Sequence, residues 1–598
     1  MSTITSLPVA AAGGSFLLEN RKPEEVFTPE DFTEEHRQIA ATAAKFAKEE
    51  VATAAEAVEA KEPGAVRGLL EKAGELGFLA SDIPEEFGGL GMDKTTSAVI
   101  ADHLSILASF STAFGAHVGI GTLPIVWYGT AEQKQKYLPK LATAEWVAAY
   151  ALSEATSGSD AMNVRTRAVL SADGQHYVLN GEKMWITNCG IADLYTVFAK
   201  IDGEKFSAFL VEKTFPGVTV GAEEHKLGIR GSSTCPLVLN DCRVPVGNLL
   251  GEAGKGHHIA FNVLNVGRFK LGVACVGGAR YALGEMIRYA KERTAFGKAI
   301  AEFGLIQRKI STAAARLYAA ESMSYRTVGM IDAALSALTE IESKESKNIQ
   351  KKIEEYAVEC SVVKVYASEA MSYVADELVA TMGGYGYVED YPAERVYRDA
   401  RINRIFEGTN EINRLIVTGW LMKRALKGEL PLLGAIRKLM DEVMQPPSFD
   451  EGDGAGDAFA SEAEKLSSVR KIALFAAGVA SQKHMAALEE QQEIMADLAD
   501  MISQVYALDS ALVRARKMAD SSKAGAKVAA LMTRLIAEEA LGCANEAAKR
   551  VLAASAEGDE LRTQLAILRR LGKATPADTV ALSRAVAREC VRLERYPL

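Results

Sequence analysis

The sequence predicts a mainly α-helical protein with a central β domain and an additional helical domain at its C-terminal end. Helical periodicity dominates the chain on both sides of a middle segment in which strand-like runs are separated by turn dipeptides. The strands do not alternate with helices in the manner of a Rossmann fold. The expected order of domains is therefore α, β, α, and then a further α domain.

Composition and charge exclude several classes of function. The 598 residues are 48% hydrophobic and 24% charged, which is typical of a globular protein. A formal net charge of -10 offers no basic surface for nucleic acid. The N-terminal stretch MSTITSLPVAAAGGSF has neither a basic region before its apolar patch nor an Arg-rich pattern, and no run approaches the roughly 18 apolar residues of a membrane span. We therefore expect no signal peptide, transit peptide or membrane-spanning segment.

The cysteines and histidines argue against structural disulfides and metal sites. The seven cysteines are scattered, odd in number and without a C-x-x-C pair, which indicates a reducing, cytoplasmic compartment. His257 and His258 are adjacent in a Gly-rich segment with no nearby cysteine or carboxylate cluster. We interpret them as a solvated loop pair rather than as metal ligands.

The predicted N-terminal helical domain covers residues 28–146. It opens with TPEDFTEEHRQIAATAAKF, in which Thr33 is the expected N-cap and Glu34 and Glu35 form an acidic first turn.

The predicted β domain covers residues 147–255. Its strand-like runs are separated by three turn dipeptides, Asp173-Gly174, Asn180-Gly181 and Asp202-Gly203, which are typical of hairpins. The pattern predicts a compact antiparallel sheet.

Helices return in a predicted domain covering residues 256–444, where Leu283, Met286, Ile287 and Ala290 form one apolar helical face. The stretch QPPSFDEGDGAGDAFA is rich in Pro, Gly and acidic residues, and it predicts a linker over residues 445–463.

The additional helical domain is predicted over residues 464–598. Its packing seam has alternate spacings of four and three residues and consists of Ile494, Leu498, Met501, Val505, Leu508 and Leu512. The segment from Lys465 to Ser481 has two interpretations, an interfacial membrane helix or a buried bundle helix, and its few basic residues favour the second.

Several segments have residue types suited to binding a polar ligand. YALSEATSGSD and MWIT in the β domain supply hydroxyls and aromatic rings, while NVGRFKLG and KERTAFGK supply arginines, with Gly297 expected to cap a helix. Taken singly, each is more commonly a turn, a core strand or a surface ion pair.

Glu407 poses the central chemical question of the sequence. It lies between Phe406 and Gly408, just before a predicted helix that Gly408, Thr409 or Asn410 could cap. A carboxylate there is stabilised by the helix N-terminus, and this is the ordinary interpretation. If an apolar wall desolvates it instead, its pKa rises towards neutrality and it becomes a competent base. The residues alone leave both interpretations open.

Six segments in order resemble the acyl-CoA dehydrogenase family over residues 30–430. They are YALSEATSGSD, NGEKMWITN, NVGRF, RTAFGK, TMGGYGYVEDYPAERVYRDARI and FEGTNEI, and the C-terminal extension resembles that of the very-long-chain branch. The resemblance implies an N-terminal helical domain, a middle β-barrel-like domain and a four-helix domain. It also implies FAD as cofactor and oxidation of an acyl-CoA to the trans-2-enoyl-CoA. Glu407 would then abstract the α-proton while a hydride passes to flavin N5, and its backbone N–H would polarise the thioester carbonyl.

The resemblance also implies roles for residues at matching positions. The cofactor-binding residues would be Tyr150, Leu152, Ser153, Gly158, Ser159, Trp185, Ile186, Thr187, Arg293, Phe296, Gly383, Gly384, Thr409 and Glu411, with Arg293, Phe296, Gly383 and Gly384 acting across a dimer interface. The substrate-binding residues would be Ser159, Asn265, Arg268, Phe406 and Gly408.

Some positions depart from the family pattern. Ala155 replaces the proline of the common T-E-P-G-A-G-S-D segment, which puts the rigidity of that loop in doubt. Ala380 and Gly304 replace two adenosine-side glutamines. Gly267 occupies the position that carries the base in the isovaleryl-type branch, which leaves Glu407 as the candidate.

The resemblance and the small residues of one helix lead to a specific expectation of function. Gly115, Ala116, Gly119 and Gly121 would leave room for a long acyl chain, and no buried polar group there would cap a short one.

The expected partners are an electron-transfer flavoprotein and a second copy of the chain. The expected location is cytoplasmic, with peripheral membrane contact as the alternative. An acyl-CoA oxidase and an assembly or scaffold protein that retains the fold are the alternative functions.

Overall fold

A computed structural model describes residues 11–343, 345–444 and 457–598 of the chain. After an arm of short turns, seven helices form the first helical layer: α1 Glu34–Phe46, α2 Ala55–Glu59, α3 Ala65–Glu75, α4 Lys94–His103, α5 Ala108–Gly115, α6 Leu123–Tyr128 and α7 Ala131–Ala142. The hydroxyl of Thr33 accepts a hydrogen bond from the N–H of His36, which confirms the predicted N-cap.

The central sheet has eight strands: β1 Ala148–Ala151, β2 Arg167–Leu170, β3 His176–Thr187, β4 Leu194–Ile201, β5 Lys205–Glu212, β6 Val218–Val220, β7 Thr234–Pro245 and β8 Leu249–Leu250. They follow the order β6-β7-β3-β2-β4-β5-β8, and β1 also pairs with β4. The expected purely antiparallel pairing was wrong, because β1 and β2 both run parallel to β4. Other strands separate β1 and β2 from β4 along the chain, and such long connections allow the parallel arrangement.

Two of the three predicted turn dipeptides connect strands. Asp173-Gly174 joins β2 to β3, and Asp202-Gly203 joins β4 to β5. The prediction for Asn180-Gly181 was wrong, because these residues lie inside β3, where its register against β7 shifts. A Cβ at Gly181 would collide with Thr166, so the glycine permits close approach of two chain segments rather than a turn.

The second helical layer follows the sheet. It comprises α8 Gly256–Glu292, α9 Gly304–Ser336, α10 Glu340–Ser343, α11 Ser346–Glu354, α12 Ala357–Met382, α13 Pro392–Ala400, α14 Asn410–Leu426 and α15 Leu432–Met444, with a small hairpin of β9 Thr294–Ala295 and β10 Lys298–Ala299 between α8 and α9. The apolar face predicted around Leu283 and Met286 is buried in α8. By length and composition α8 could cross a membrane, but 67% of its most apolar window is buried inside the protein, as in the core helix of a globular domain.

Two local predictions in this layer were wrong. His257 and His258 lie in the first turn of α8 rather than in a loop. Gly297 does not cap a helix: α8 ends at Glu292, and Phe296 and Gly297 form the left-handed turn of the β9–β10 hairpin.

The C-terminal extension consists of α16 Ala460–His484, α17 Gln492–Asp520, α18 Ala526–Ser555, α19 Gly558–Leu571 and α20 Thr579–Leu593. Its buried side chains belong to the same hydrophobic core as those of α8, α9, α12 and α14, so the extension is packed into the helical layer. All six residues of the predicted seam are buried in α17. Most of the predicted linker, residues 445–456, lies outside the described part of the chain, and the helix that follows begins at Ala460 rather than at residue 464.

The segment from Lys465 to Ser481 forms most of α16. Leu466, Val469, Ile472 and Phe475 are buried among neighbouring helices, which supports the bundle-helix interpretation over the interfacial one.

A buried charge network joins the extension to the rest of the molecule. Arg514 of α17 is 2% exposed and pairs with Glu30 of the N-terminal arm (2.9 Å) and with Glu321 of α9 (2.6 Å). Arg280 of α8 also pairs with Glu321 (2.7 Å). Burial alone would raise the pKa of Glu321, but Arg514 and Arg280 lower it to about 2. Arg514 therefore connects the arm, the second helical layer and the extension.

Replacing Arg514 by Met should strongly destabilise the protein, because Glu30 would lose its buried cation and Glu321 would keep only Arg280. We expect the free energy of unfolding to fall by about 3–5 kcal/mol, measured by urea denaturation. Arg550→Met is the matched control, since it removes an exposed pair with Asp497 from the same extension, and its effect should stay below about 1 kcal/mol. Equal effects of the two substitutions would contradict the role given to the network.

Candidate active site

Glu407 lies on a short strained loop between two helical segments. A 3-10 turn at Arg401–Arg404 precedes it and α14 follows it. Its φ of 57° and the φ of 78° at Gly408 place two consecutive residues in the left-handed region, which a non-glycine residue rarely occupies. Of the three candidate caps, Thr409 caps α14, because its hydroxyl accepts from the N–H of Ile412. Glu407 therefore stands outside the helix, and its side chain is free to point elsewhere.

The Glu407 carboxyl group is buried, and one of its oxygens, Oε2, has no hydrogen-bond partner among the described residues. Burial raises the pKa of Glu407 to about 7, while the positive charges of Arg268 and Lys364 limit that rise. Of the two interpretations left open by the sequence, the structure favours the desolvated carboxyl group. Such a group can accept a proton near neutral pH.

Gly267 of α8 makes room for this carboxyl group. A Cβ at Gly267 would lie 2.5 Å from Oε2 and 2.7 Å from Cδ of Glu407. Every other residue at position 267 would therefore displace the carboxylate, so the glycine and the glutamate are sterically coupled.

Three side chains hold the backbone of the Glu407 loop. The carbonyl of Glu407 accepts from Nε of Arg268 (3.4 Å) and from Nδ2 of Asn413 (3.3 Å). The carbonyl of Gly408 accepts from Nζ of Lys364 (2.7 Å) and from the same Nδ2 of Asn413 (2.8 Å). Within the described residues no acceptor takes the N–H of Glu407. This donor is therefore available to a ligand.

A cavity of mixed polarity opens beside Glu407. Its wall is formed by α4, α5, α8, α12 and α13 and includes Thr187, Gly267 and Phe406. Gly115 and Gly119 face open space in it, whereas Gly121 does not line it, because a Cβ there would lie 2.8 Å from Cβ of Ala148. The predicted row of four small residues thus reduces to three that border the cavity, with Ala116 as the third.

The cavity is less apolar than the sequence suggests. Ser97, Ser105 and Lys270 also line it. Their polar groups already have protein partners: the hydroxyls donate to backbone carbonyls, and Nζ of Lys270 pairs with Asp82 at 2.6 Å. They therefore present few unsatisfied groups to an apolar chain.

The two predicted flavin-ring segments meet at the ends of β1 and β3. Tyr150 of β1 is buried, its hydroxyl lacks a partner among the described residues, and burial together with the negative charge of Glu407 raises its pKa. Thr187 of β3 lines the same cavity as Glu407. Trp185 lies in a register shift of β3 with φ 58° and is 58% exposed, while Ile186 is buried. The unpartnered hydroxyl of Tyr150 and the exposed indole of Trp185 are each suited to contact a polar aromatic ring.

The loop after β1 carries the remaining flavin-ring candidates. Leu152 is buried, Gly158 and Ser159 are exposed, and the carbonyl of Ser153 accepts from the N–H of Met184. Although Ala155 replaces a proline, the neighbouring carboxylate of Glu154 fixes the loop. It pairs with Lys183 (2.5 Å) and accepts from the hydroxyl of Thr166 (2.6 Å).

The structure does not bring the adenosine-side candidates to Glu407. Arg293, Phe296, Gly383 and Gly384 lie together where α8 and α12 end, and Arg293 stacks over the ring of Tyr385 at 6.0 Å. Arg293 follows Gly267 by 26 residues along α8, which is roughly 39 Å at 1.5 Å per residue. The two groups of candidates are therefore far apart within a single chain.

The substrate-side candidates are close to Glu407. Asn265 and Arg268 are buried on α8, where Oδ1 of Asn265 accepts from Arg268 (2.7 Å). Phe406 lines the cavity, and Gly408 and Thr409 adjoin Glu407, while Glu411 is exposed in the first turn of α14.

Sequence reasoning missed Lys364 and Asn413. Both side chains are buried and bind the Glu407 loop. A lone lysine inside the apolar run SVVKVYA of α12 was the available signal, since a buried lysine requires a specific partner.

Comparison with known proteins identifies the chain's relatives. Family profiles described as the N-terminal, middle and C-terminal domains of acyl-CoA dehydrogenase match residues 33–145, 149–242 and 254–422, and a second C-terminal domain profile of that name matches residues 468–570. A probable acyl-CoA dehydrogenase of Bacillus subtilis is 49% identical over 98% of both chains. The human very long-chain specific acyl-CoA dehydrogenase is 37% identical over 74% of this chain and 69% of its own length. A crystal structure of an acyl-CoA dehydrogenase complexed with FAD from Bacillus anthracis superimposes with a TM-score of 0.96 at 49% identity, over 98% of this chain and 100% of that one.

Replacing Glu407 by Gln should change how stability depends on pH. The folded pKa of about 7 lies above the ordinary value of 4.5, so the carboxyl group contributes stability at low pH that is lost as pH rises through about 7. Between pH 4.5 and 8, the free energy of unfolding of E407Q should therefore rise by on the order of 3 kcal/mol relative to that of the unsubstituted protein. Urea denaturation at several pH values measures this difference. Glu429→Gln, which removes an exposed carboxylate, controls for net charge, and a gain of the same size there would contradict the assignment.

Proposed function

The chain belongs to the acyl-CoA dehydrogenase family and is an FAD-dependent oxidoreductase, and from that premise we propose that it dehydrogenates long-chain acyl-CoA with Glu407 as the catalytic base. The observation that carries this proposal is the buried Glu407 carboxyl group, which borders the cavity and has a pKa of about 7. A base of that pKa is half ionised near neutral pH, where it can both accept a proton and release it again.

Glu407 supplies two groups to the reaction. Its carboxylate takes the α-proton of the thioester. Its backbone N–H, free of protein acceptors in the described residues, donates to the thioester carbonyl as negative charge develops there. The left-handed conformation of the loop fixes the orientation of this backbone N–H relative to the side chain of the same residue, so both groups can act on one bound thioester.

The residues present fit the flavin. Tyr150, Leu152, Ser153, Gly158, Ser159, Trp185, Ile186 and Thr187 would hold the ring, which supplies the two-electron acceptor for the β-hydrogen when it is bound. The unpartnered Tyr150 hydroxyl and the exposed Trp185 support this placement. Asn265, Arg268, Phe406 and Gly408, with Ser159, would hold the acyl-CoA, and Thr409 and Glu411 would contact the cofactor beyond the base.

We also propose that the protein functions as a homodimer. The separation of roughly 39 Å along α8 supports this arrangement, because Arg293, Phe296, Gly383 and Gly384 can only reach a cofactor bound by a second copy. Phe296 is 95% exposed and would be covered in such a dimer.

An electron-transfer flavoprotein is the proposed acceptor of the electrons. The seven free cysteines, six of them buried, support a reducing cytoplasmic location.

Glu407→Gln should abolish most of the turnover, because the amide keeps the size of the side chain and removes the base. We expect anaerobic bleaching of the flavin by palmitoyl-CoA to slow by about 10²–10⁴-fold, measured by stopped-flow absorbance. Flavin content and acyl-CoA binding should be retained, and they serve as the control. Bleaching at an unchanged rate would refute the role of Glu407, and rapid peroxide formation when air is admitted would favour the oxidase alternative.

The preference for long chains should depend on the glycines of the cavity. Gly115 and Gly119 face open space, so a larger side chain at either position would reduce the volume available to the acyl group. Gly119→Leu should move the optimum of kcat/KM towards shorter acyl-CoAs, measured over a series from butyryl to palmitoyl. Gly542→Leu adds the same side chain at an exposed position of α18 and should leave the profile unchanged. An optimum at butyryl-CoA in the unsubstituted protein would contradict the proposed substrate class.

A further inference from the structure

Lys364 is a fully buried cation without a carboxylate partner in the described part of the chain. Its relative exposure is 0%, and its ammonium donates to the carbonyl of Gly408 (2.7 Å) and to Oδ1 of Asn410 (2.8 Å). Both acceptors are uncharged. Burying an ammonium is costly, and a structural lysine is usually compensated by a carboxylate in direct contact. The placement of Lys364 therefore requires another explanation.

The two acceptors of Lys364 both belong to the segment that carries Glu407. Gly408 directly follows Glu407, and Asn410 is the first residue of α14. Asn410 is itself fixed, because its Nδ2 donates to Ser368 Oγ (3.1 Å) and to Glu369 (3.0 Å) on α12. Lys364 thus ties the strained turn to the neighbouring helix through the peptide group next to the base.

The charge of Lys364 also acts on the Glu407 carboxylate. Burial lowers the pKa of Lys364 to about 8, and the negative charge of Glu407 opposes this shift. The other titratable groups that face Lys364 are Cys275 and Arg268 on α8 and Glu411 on α14. Those that act on Glu407 are Arg268 and Lys364, and the charge of Glu407 in turn acts on Tyr150 of β1.

We propose that Lys364 is a positioning residue for the dehydrogenation: it holds the Glu407–Gly408 turn in its left-handed conformation and supplies positive charge that keeps the Glu407 carboxylate ionised where water is excluded. This inference rests on the proposed function of Glu407 as base and deepens it. Arg268 alone cannot do both tasks, because its bond to the Glu407 carbonyl is long at 3.4 Å and its Nη1 is engaged by Asn265. Asn413 donates to the same carbonyl as Lys364 but has no charge.

Two substitutions separate the two tasks of Lys364. Lys364→Met removes the charge and the donor, whereas Lys364→Gln removes the charge and retains an N–H donor. The ionisation of Glu407 is followed by infrared spectroscopy of the flavin-containing protein, as the difference between each variant and the same variant carrying Glu407→Gln. We expect the titration midpoint of Glu407 to rise by about one pH unit in both variants. If Lys364→Met does not fold, Lys364→Gln decides the question.

Measurements of turnover should separate the effect of Lys364 on the position of the turn from the effect of its charge. In both variants, the acid limb of the kcat–pH profile should move to higher pH together with the infrared midpoint. Above that limb the carboxylate is ionised in every variant, so the remaining loss reports the turn alone: we expect at least a tenfold deficit for Lys364→Met and a smaller one for Lys364→Gln. Lys465→Met is the control, because it removes another buried lysine, paired with Glu538 (2.9 Å) in the extension, and should lower stability without moving the midpoint.

The outcomes distinguish this inference from the proposed function. An unchanged infrared midpoint in both Lys364 variants would overturn the inference even if Glu407→Gln abolishes turnover. Turnover that survives Glu407→Gln would instead overturn the proposed function, while the infrared midpoint would still show whether Lys364 controls the ionisation of Glu407.

Discussion

The structure depends on keeping one carboxyl group away from water without neutralising it. Glu407 is enclosed by a glycine of α8, by Phe406 and by the cavity wall, and its burial opposes ionisation. Two buried cations, Arg268 and Lys364, offset part of that effect. The balance leaves the pKa near neutrality, where a base is most useful. A carboxylate in direct contact with either cation would be too weak a base, and one without them would remain protonated.

Maintaining this balance requires a rigid surrounding, because a small displacement would let water reach the carboxylate. The Glu407 turn is in an unfavourable backbone conformation, and it persists since side chains from α8, α12 and α14 bind its carbonyls. Those helices in turn share one hydrophobic core with the C-terminal extension and the N-terminal arm. The extension therefore contributes to the site indirectly, by packing against the helices that carry it, and Arg514 reinforces that packing with buried ion pairs.

The sheet contributes the second half of the site. Thr187 of β3 lines the cavity, and Tyr150 of β1 lies near enough to Glu407 for the charge of that carboxylate to raise its pKa. Glu154 and Lys183, buried as a pair, keep the loop after β1 in place next to Ala155. This loop is thus fixed by an electrostatic contact and not by the covalent restriction of a proline ring.

The sequence by itself determined the order of helical and β segments, the cap at Thr33, the seam of α17 and, through six ordered motifs, the family and its cofactor. These features depend on local periodicity and on residue type, which are properties of a short stretch of chain. Only the tertiary structure decided that Asn180-Gly181 continues a strand, that Gly121 faces β1 rather than the cavity, and that Glu407 is desolvated. The same holds for Lys364, which precedes Glu407 by 43 residues and meets it only because α12 packs beside α14. Burial, pKa and steric contact depend on what surrounds a residue in space, and one sequence read along its length does not contain that information.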